Sequence, residues 1–251
     1  MTTLEYPLNE KMRAFLRTEE LLQRLYLLID SGHPVHHHFA VQTLFDLQEL
    51  CARTDIKSDL IKDLERQRQT LESYRGNPGI SEQALDETLQ QVDQASQALQ
   101  AAGKPGQQLA QEGDGLSTLK GRIHIASGTC AFDTPAFHHW KQLSVEKRQL
   151  RLNEWATHFD AVAQGLSLYL GMVRQSASSR AVVATAGQFQ QNLAQNKTFQ
   201  MLRVSPHQEG LIPEISANRL LVMVRWLSCD EFMRTQPMND DVPFNLALCS
   251  G

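Results

Sequence analysis

No run of apolar residues in this sequence is long enough to cross a bilayer. The most hydrophobic segment, Leu220 to Val224, is bounded by Arg219 and Arg225, far short of the roughly 20 residues that a spanning helix needs. The four cysteines, Cys51, Cys130, Cys229 and Cys249, include no Cys-x-x-Cys pair, which argues against both a disulfide framework and a zinc ribbon. Reduced, mostly packed thiols are expected, with Cys130 and its neighbour Phe132 in the core. Neither G-x-x-x-x-G-K-[ST] nor G-x-G-x-x-G occurs, so no glycine-rich loop is available to hold a nucleotide phosphate on backbone N–H groups. A G-x-S-x-G nucleophile elbow is missing too. Basic residues are not in excess: 24 Lys and Arg against 28 Asp and Glu give a net charge of -4. Nonspecific nucleic-acid binding relies on the opposite balance, so no nucleic-acid partner is expected. Met1 to Pro7 shows no basic stretch followed by an apolar one. The expectation is a cytoplasmic chain without signal, transit peptide or direct membrane insertion.

What is present is enough for a real core: 251 residues, 41% of them hydrophobic. From Asn9 the residues Met12, Phe15, Leu16, Leu22, Leu25, Tyr26 and Ile29 recur mostly at steps of three or four, the spacing of one helix face. Asn9 suits an N-cap and Gly32-His33-Pro34 a stop. A second helix follows from about Pro34 to Arg53. Residues 56–102 then alternate polar stretches around Asn77-Pro78-Gly79, a turn signal. Leu85, Leu89, Val92, Ala95 and Leu99 form a narrow apolar seam, which predicts a helical hairpin with coiled-coil-like packing. Whether the hairpin projects, dimerises or lies as an ordinary surface pair is left open by the pattern. A short helix and loop are expected between 103 and 131, a short helix from Phe137 to Leu143 with Pro135 in its first turn, and helical character from Ser144 to Ser176 with a break near Thr157.

Beyond Gln175-Ser176-Ala177-Ser178-Ser179 the pattern changes. Ala181 to Thr185, Phe199 to Val204, Leu220 to Leu227 and Val242 to Cys249 are rich in β-branched and aromatic residues and separated by Gly, Pro, Asn and Asp, which predicts four or more strands. Helices first and strands second give an α+β fold: an N-terminal α-helical domain, 1–178, containing the 56–102 hairpin, followed by an antiparallel β domain, 179–251.

Candidate chemistry is sparse. His36-His37-His38 invites a metal reading, but adjacent helical residues diverge by about 100°, so a solvated helix start is expected and no metal. His138, with His139, His158 and Asp160, supplies general-base types without a recognisable triad. Charge placement says more. Between Ser176 and Cys229 the basic residues Arg180, Lys197, Arg203, Arg219 and Arg225 face only Glu209 and Glu214, a local positive balance inside an acidic chain. Arg13 and Arg17 are four apart on the first helix, and Arg53 and Lys57 bracket the next helix junction. Such arginines suit carboxylates presented by a partner; unrelated solvated surface charges give the same spacing.

The opening Tyr6-Pro7-Leu8-Asn9-Glu10-Lys11-Met12-Arg13-Ala14-Phe15-Leu16-Arg17 resembles that of the ZapD family, Z-ring-associated division proteins of bacteria. Further matching blocks are Phe45-Asp46-Leu47, the stretch from Asp59 to Gln67, Gly76-Asn77-Pro78-Gly79, Cys130-Ala131-Phe132-Asp133-Thr134-Pro135, His138-His139-Trp140, Val173-Arg174-Gln175-Ser176-Ala177 and Pro213-Glu214-Ile215-Ser216. They run the length of the chain. The resemblance implies a cytoplasmic homodimer, without enzymatic activity, cofactor or metal. It would bind the C-terminal tail of the tubulin-like protein FtsZ, bundle FtsZ filaments and be recruited to the midcell division ring. It also implies a basic tail-binding surface, carried here by Arg17, Arg53 and Arg225 first, with Arg13, His138 and Arg174. The chain departs from the family pattern at Leu221, where a basic residue is common, and at Gly115, in a loop that is often more basic. The residues alone leave two alternatives: an enzyme holding a small anionic substrate with His138 and the arginines, and a nucleic-acid module using the positive charge of the β half.

Overall fold

The computed structural model describes residues 3–194, 197–218 and 220–251. The fold is α+β, helices first and antiparallel sheets after. Two compact units divide the chain: Ala14–Tyr169, and Leu170–Gly251 together with Met1–Arg13.

The helical unit is built on amphipathic helices with identifiable ends. Helix α1, Glu10–Asp30, begins as the sequence predicts, with the Asn9 carboxamide oxygen accepting from Met12 N at 2.8 Å, one of the donors a helix start leaves open. Helix α2, Pro34–Arg53, takes Pro34 in its first turn and His33 as its cap, whose ring nitrogen accepts from Val35 N. Helices α3, Ile56–Glu72, and α4, Glu82–Ala101, form the expected hairpin. Asn77 Oδ1 accepts from Gly79 N at 3.0 Å, Ser81 caps α4, and Arg75 ties the tip by pairing with Glu72, Glu82 and Asp86. The seam Leu85, Leu89, Val92, Ala95 and Leu99 is buried throughout, with Leu60 and Leu64 of α3.

Short helices α5, Asp114–Lys120, and α6, Pro135–Lys141, precede α7, Val145–Ala156. A 3-10 turn at Thr157–Phe159 is the break foreseen near Thr157, and α8 runs from Asp160 to Gln175. Gly165 lets α8 lie against the hairpin: a Cβ there would stand 2.8 Å from Leu99 Cδ1 and 3.1 Å from Leu60 Cδ2. The base of the hairpin is thus packed on α8.

Two expectations fail in this unit. His37 is fully buried rather than solvated, because its helix face is covered by α7. Phe132 is 86% exposed and Cys130 only partly buried; both sit in a chain of tight turns between α5 and α6 that has no periodic face to bury.

The β unit holds two antiparallel sheets. Strands β1, Leu4–Pro7, β2, Arg180–Ala184, β4, Phe199–Pro206, and β8, Val242–Ser250, form the first, in the order β1-β4-β8-β2; β3, Gln188–Asn192, β5, Leu211–Ala217, and β6, Leu221–Cys229, form the second, in the order β3-β6-β5. A short β7, Thr235–Pro237, also pairs with β6. Alternate residues of both sheets meet in one core, Leu202, Val204, Val222, Val224, Trp226, Val242, Phe244 and Leu246 among them. There Trp226 and Phe244 contact edge-on at 5.2 Å. That is a sandwich of two inner faces with the period-2 alternation of strands. The N-terminal strand β1 was not foreseen. It pairs with β4, Glu5 opposite Arg203.

Candidate functional site

The helical unit carries three of the expected residues, on separate elements. Arg17 is exposed on α1 and has no ion-pair partner among the described residues. Arg53 closes α2 with its side chain 75% exposed, paired to Glu49 one turn back, an arrangement worth little in water and easily exchanged. It lines a cleft of about 650 Å³ with Lys57, Lys104, Thr54 and Asp55. Lys57 donates to Ala102 O at 2.5 Å, which holds its ammonium at the cleft wall. With Glu49 on Arg53 and Asp55 at the wall, three cations stand against two carboxylates, a small positive balance at the junction of α2 and α3, where the first backbone N–H groups of α3 add partial positive charge.

His138 is exposed on α6 and lines a different cleft, of about 380 Å³, with His38, Phe39, Val35 and Lys141. The His38 imidazole is held below its ordinary pKa by burial and by the neighbouring Lys141 ammonium. No hydrogen-bond partner orients the His138 ring among the described residues, so the constellation lacks the third group that a base–nucleophile arrangement uses. Arg17, Arg53 and His138 therefore do not converge on one pocket within this unit.

The β unit carries the other three. Arg13 pairs with Glu10 at 3.3 Å in the first turn of α1. Arg225 points from β6 to the outer face of the second sheet, in register with Glu214 of β5 and 3.7 Å from its carboxylate; both are more than half exposed. Arg174, in the last turn of α8, is engaged differently. Its Nε and Nη2 donate to the two carboxylate oxygens of Glu5 at 2.9 and 2.7 Å, a bidentate fork. Arg203 Nε stands 3.1 Å from Glu5 Oε1, without the alignment of a hydrogen bond. Both guanidinium groups lean on the single anion of β1. Arg219 lies outside the described residues.

Sequence reasoning missed one open feature of the helical unit. Gln91, Gln94 and Ala95 of α4 and Ala163, Gln164, Ser167 and Leu168 of α8 line a shallow groove of about 580 Å³. Its walls are apolar, amide and hydroxyl groups without charge. The residues are unremarkable in sequence, and only the closeness of two helices that Gly165 permits brings them together.

Among the described residues no group of three or more His, Cys, Asp or Glu side chains could hold a metal ion, and no helix is long and apolar enough to cross a membrane. The model of the family ZapD, described as cell division protein, matches residues 16–225. A cell division protein ZapD of Janthinobacterium sp. (strain Marseille) is 39% identical over 252 residues, covering 100% of both chains. The ZapD of Ralstonia pickettii is 39% identical over 253 residues and that of Cupriavidus metallidurans 38% over 253, each again covering 100% of both chains.

Proposed function

Because this chain belongs to the ZapD family of cell division proteins, we propose that it is a non-enzymatic division factor that binds the C-terminal tail of FtsZ. As a cytoplasmic homodimer recruited to midcell, it crosslinks FtsZ filaments into bundles and promotes Z-ring assembly. The observation that carries this reading is the placement of exposed cationic side chains on a chain of net charge -4. Arg17 stands exposed, Arg53 shares a cleft with Lys57 and Lys104, and Arg225 lies on an open sheet face. Surface guanidinium groups of this kind take carboxylates from a partner at little cost in fold stability. Arg13 and His138 belong to the same reading as secondary contacts. Arg174, clamped to Glu5, supports the β unit and contributes to binding indirectly.

Bridging follows from symmetry and valency. A two-fold dimer offers two equivalent sites, and a filament offers many closely spaced tails, so modest affinity per site gives strong crosslinking by effective concentration. Since the contacts lie at the surface, where the Debye length is about 8 Å at physiological ionic strength, binding weakens as salt rises.

The test is low-speed co-sedimentation of polymerised FtsZ, intact or lacking its tail, with this protein and with a triple variant Arg17→Glu, Arg53→Glu, Arg225→Glu. Bundles are expected only with the intact tail and the unaltered protein. Bundling that survives tail removal moves the site; absence of any binding over a range of salt overturns the reading.

A further inference from the structure

Arg148 is an unusual buried cation. It is 4% exposed, yet its hydrogen-bond partners are three carbonyls and one imidazole, none of them a carboxylate. Nη2 donates to Gly32 O at 2.7 Å. Nη1 donates to Lys141 O at 3.2 Å and to Leu143 O. Nε donates to His37 Nδ1 at 2.9 Å. The guanidinium thus fastens the turn after α1 and the end of α6 to α7, where the carbonyls at the two helix C-termini favour a cation.

The bond to His37 sets the ring. Its Nδ1 must be unprotonated to accept, so the proton sits on Nε2, which faces Ile29 O at 3.1 Å. Both nitrogens of a fully buried imidazole are then committed, and a second proton has no place except Nδ1, against the guanidinium. The charged and titratable groups around the ring are Arg148 on α7 and His33 and His36 in and before the first turn of α2. Lys141 stands at the end of α6, and Glu146 lies one helical turn or less from Arg148. Burial, with Arg148 and the two histidines, lowers the affinity of His37 for a proton.

We propose that the His37–Arg148 contact is a proton-operated latch that holds the α1–α2 turn, the α6–α7 connection and α7 together, and that it opens locally in mild acid. A proton from solvent taken up on Nδ1 cancels the Arg148 hydrogen bond and sets two cations 2.9 Å apart. The structure relieves this by releasing Arg148 from the three carbonyls. The closed form has its histidine pKa below the ordinary value, so it binds fewer protons than the open form, and closure weakens as pH falls below about 6.5. One proton per opening makes the opening constant rise roughly tenfold per pH unit until the closed-state pKa is reached. The latch does not depend on what the surface binds.

The test is amide exchange on the whole protein between pH 7.5 and 5.0, corrected for intrinsic rates, with long-range nitrogen–proton correlation of the imidazoles. Protection in residues 29–38 and 141–149 is expected to fall about tenfold per pH unit below about 6.5, while the α3–α4 hairpin holds. The His37 ring is expected as the Nε2–H tautomer. In the variant His37→Asn, which keeps an acceptor toward Arg148 and cannot be protonated, protection is expected to stay flat. The idea is overturned if His37 titrates at its ordinary pKa with protection unchanged, or if His37→Asn loses protection as the unaltered protein does. Should that variant fail to fold, the titration and tautomer of His37 in the unaltered protein decide the matter alone.

Discussion

Replacing Arg174 by alanine separates a structural arginine from a binding one. The side chain makes two charge-assisted hydrogen bonds to Glu5, at 2.9 and 2.7 Å, and the pair is 28% and 19% exposed. Fully buried, such bonds are worth about 1.5–3 kcal/mol each. Partial exposure reduces this, and Glu5 retains Arg203 at 3.1 Å, so the anion is not stranded. A loss of about 2 kcal/mol follows, below the roughly 3–5 kcal/mol that breaking a fully buried pair costs. With a urea slope of about 2 kcal/mol/M, the unfolding midpoint moves down by about 1 M. Glu5→Gln costs more, about 3 kcal/mol, because it leaves two guanidinium groups facing a neutral amide. Arg53→Ala, by contrast, removes a side chain that is 75% exposed and shifts stability by no more than about 0.5 kcal/mol. The assay is urea denaturation followed by tryptophan fluorescence, run beside tail-peptide binding under conditions where every variant is folded. An Arg174→Ala protein with an unchanged midpoint and abolished tail binding would refute the reasoning, for it would mean that the arginine reaches the ligand and that the Glu5 clamp contributes little.

Three further outcomes are expected. Gly165→Ala forces a Cβ to 2.8 Å from Leu99 Cδ1 and costs about 1–3 kcal/mol by overpacking, whereas Leu99→Ala costs about 2–5 kcal/mol by leaving a cavity; both are read from the urea midpoint, and the double variant should recover part of the loss. Asn9→Ala removes the cap on α1 and the 2.8 Å bond to Gln200 Oε1; it should lower stability by about 1–2 kcal/mol, while Asn9→Asp, which keeps the capping oxygen, loses less. The Cys51 thiol is pushed up to about 12 by burial. Since the thiolate is the reactive form and Cys51 is only partly buried at the wall of the Arg53 cleft, maleimide labelling of Cys51 at pH 8 should be slow in the native protein and accelerate on unfolding by urea.

Several elements were legible because their signals are contiguous. The Asn9 cap, the 3.6-residue period of α1 and α2, the seam of α4 and the break at Thr157 each depend on residues within a turn or two of one another. Others carried no such signal. Strand β1 has four residues, too few to show a period, and exists because β4 offers it an edge. Strand β5 contains Pro213, which reads as a breaker but is tolerated on an edge strand such as this one. In β3, Gln-Phe-Gln-Gln-Asn offers a single apolar residue. The burial of His37 carries no local signal, because its covering helix lies far along the chain.

By itself the sequence determined the helices, the hairpin, the strand-rich last third and, through matching blocks along its length, the family. Those features rest on local periodicity, capping and the order of residue types. Only the tertiary structure decided what each charged group does. Arg174 and Glu5 are 169 positions apart and Arg148 and His37 are 111 apart. No local pattern distinguishes Arg174, clamped by a carboxylate, from Arg17, left exposed on α1. The difference comes from which distant backbone folds back to supply an anion or exclude water, and that is set by packing of the core.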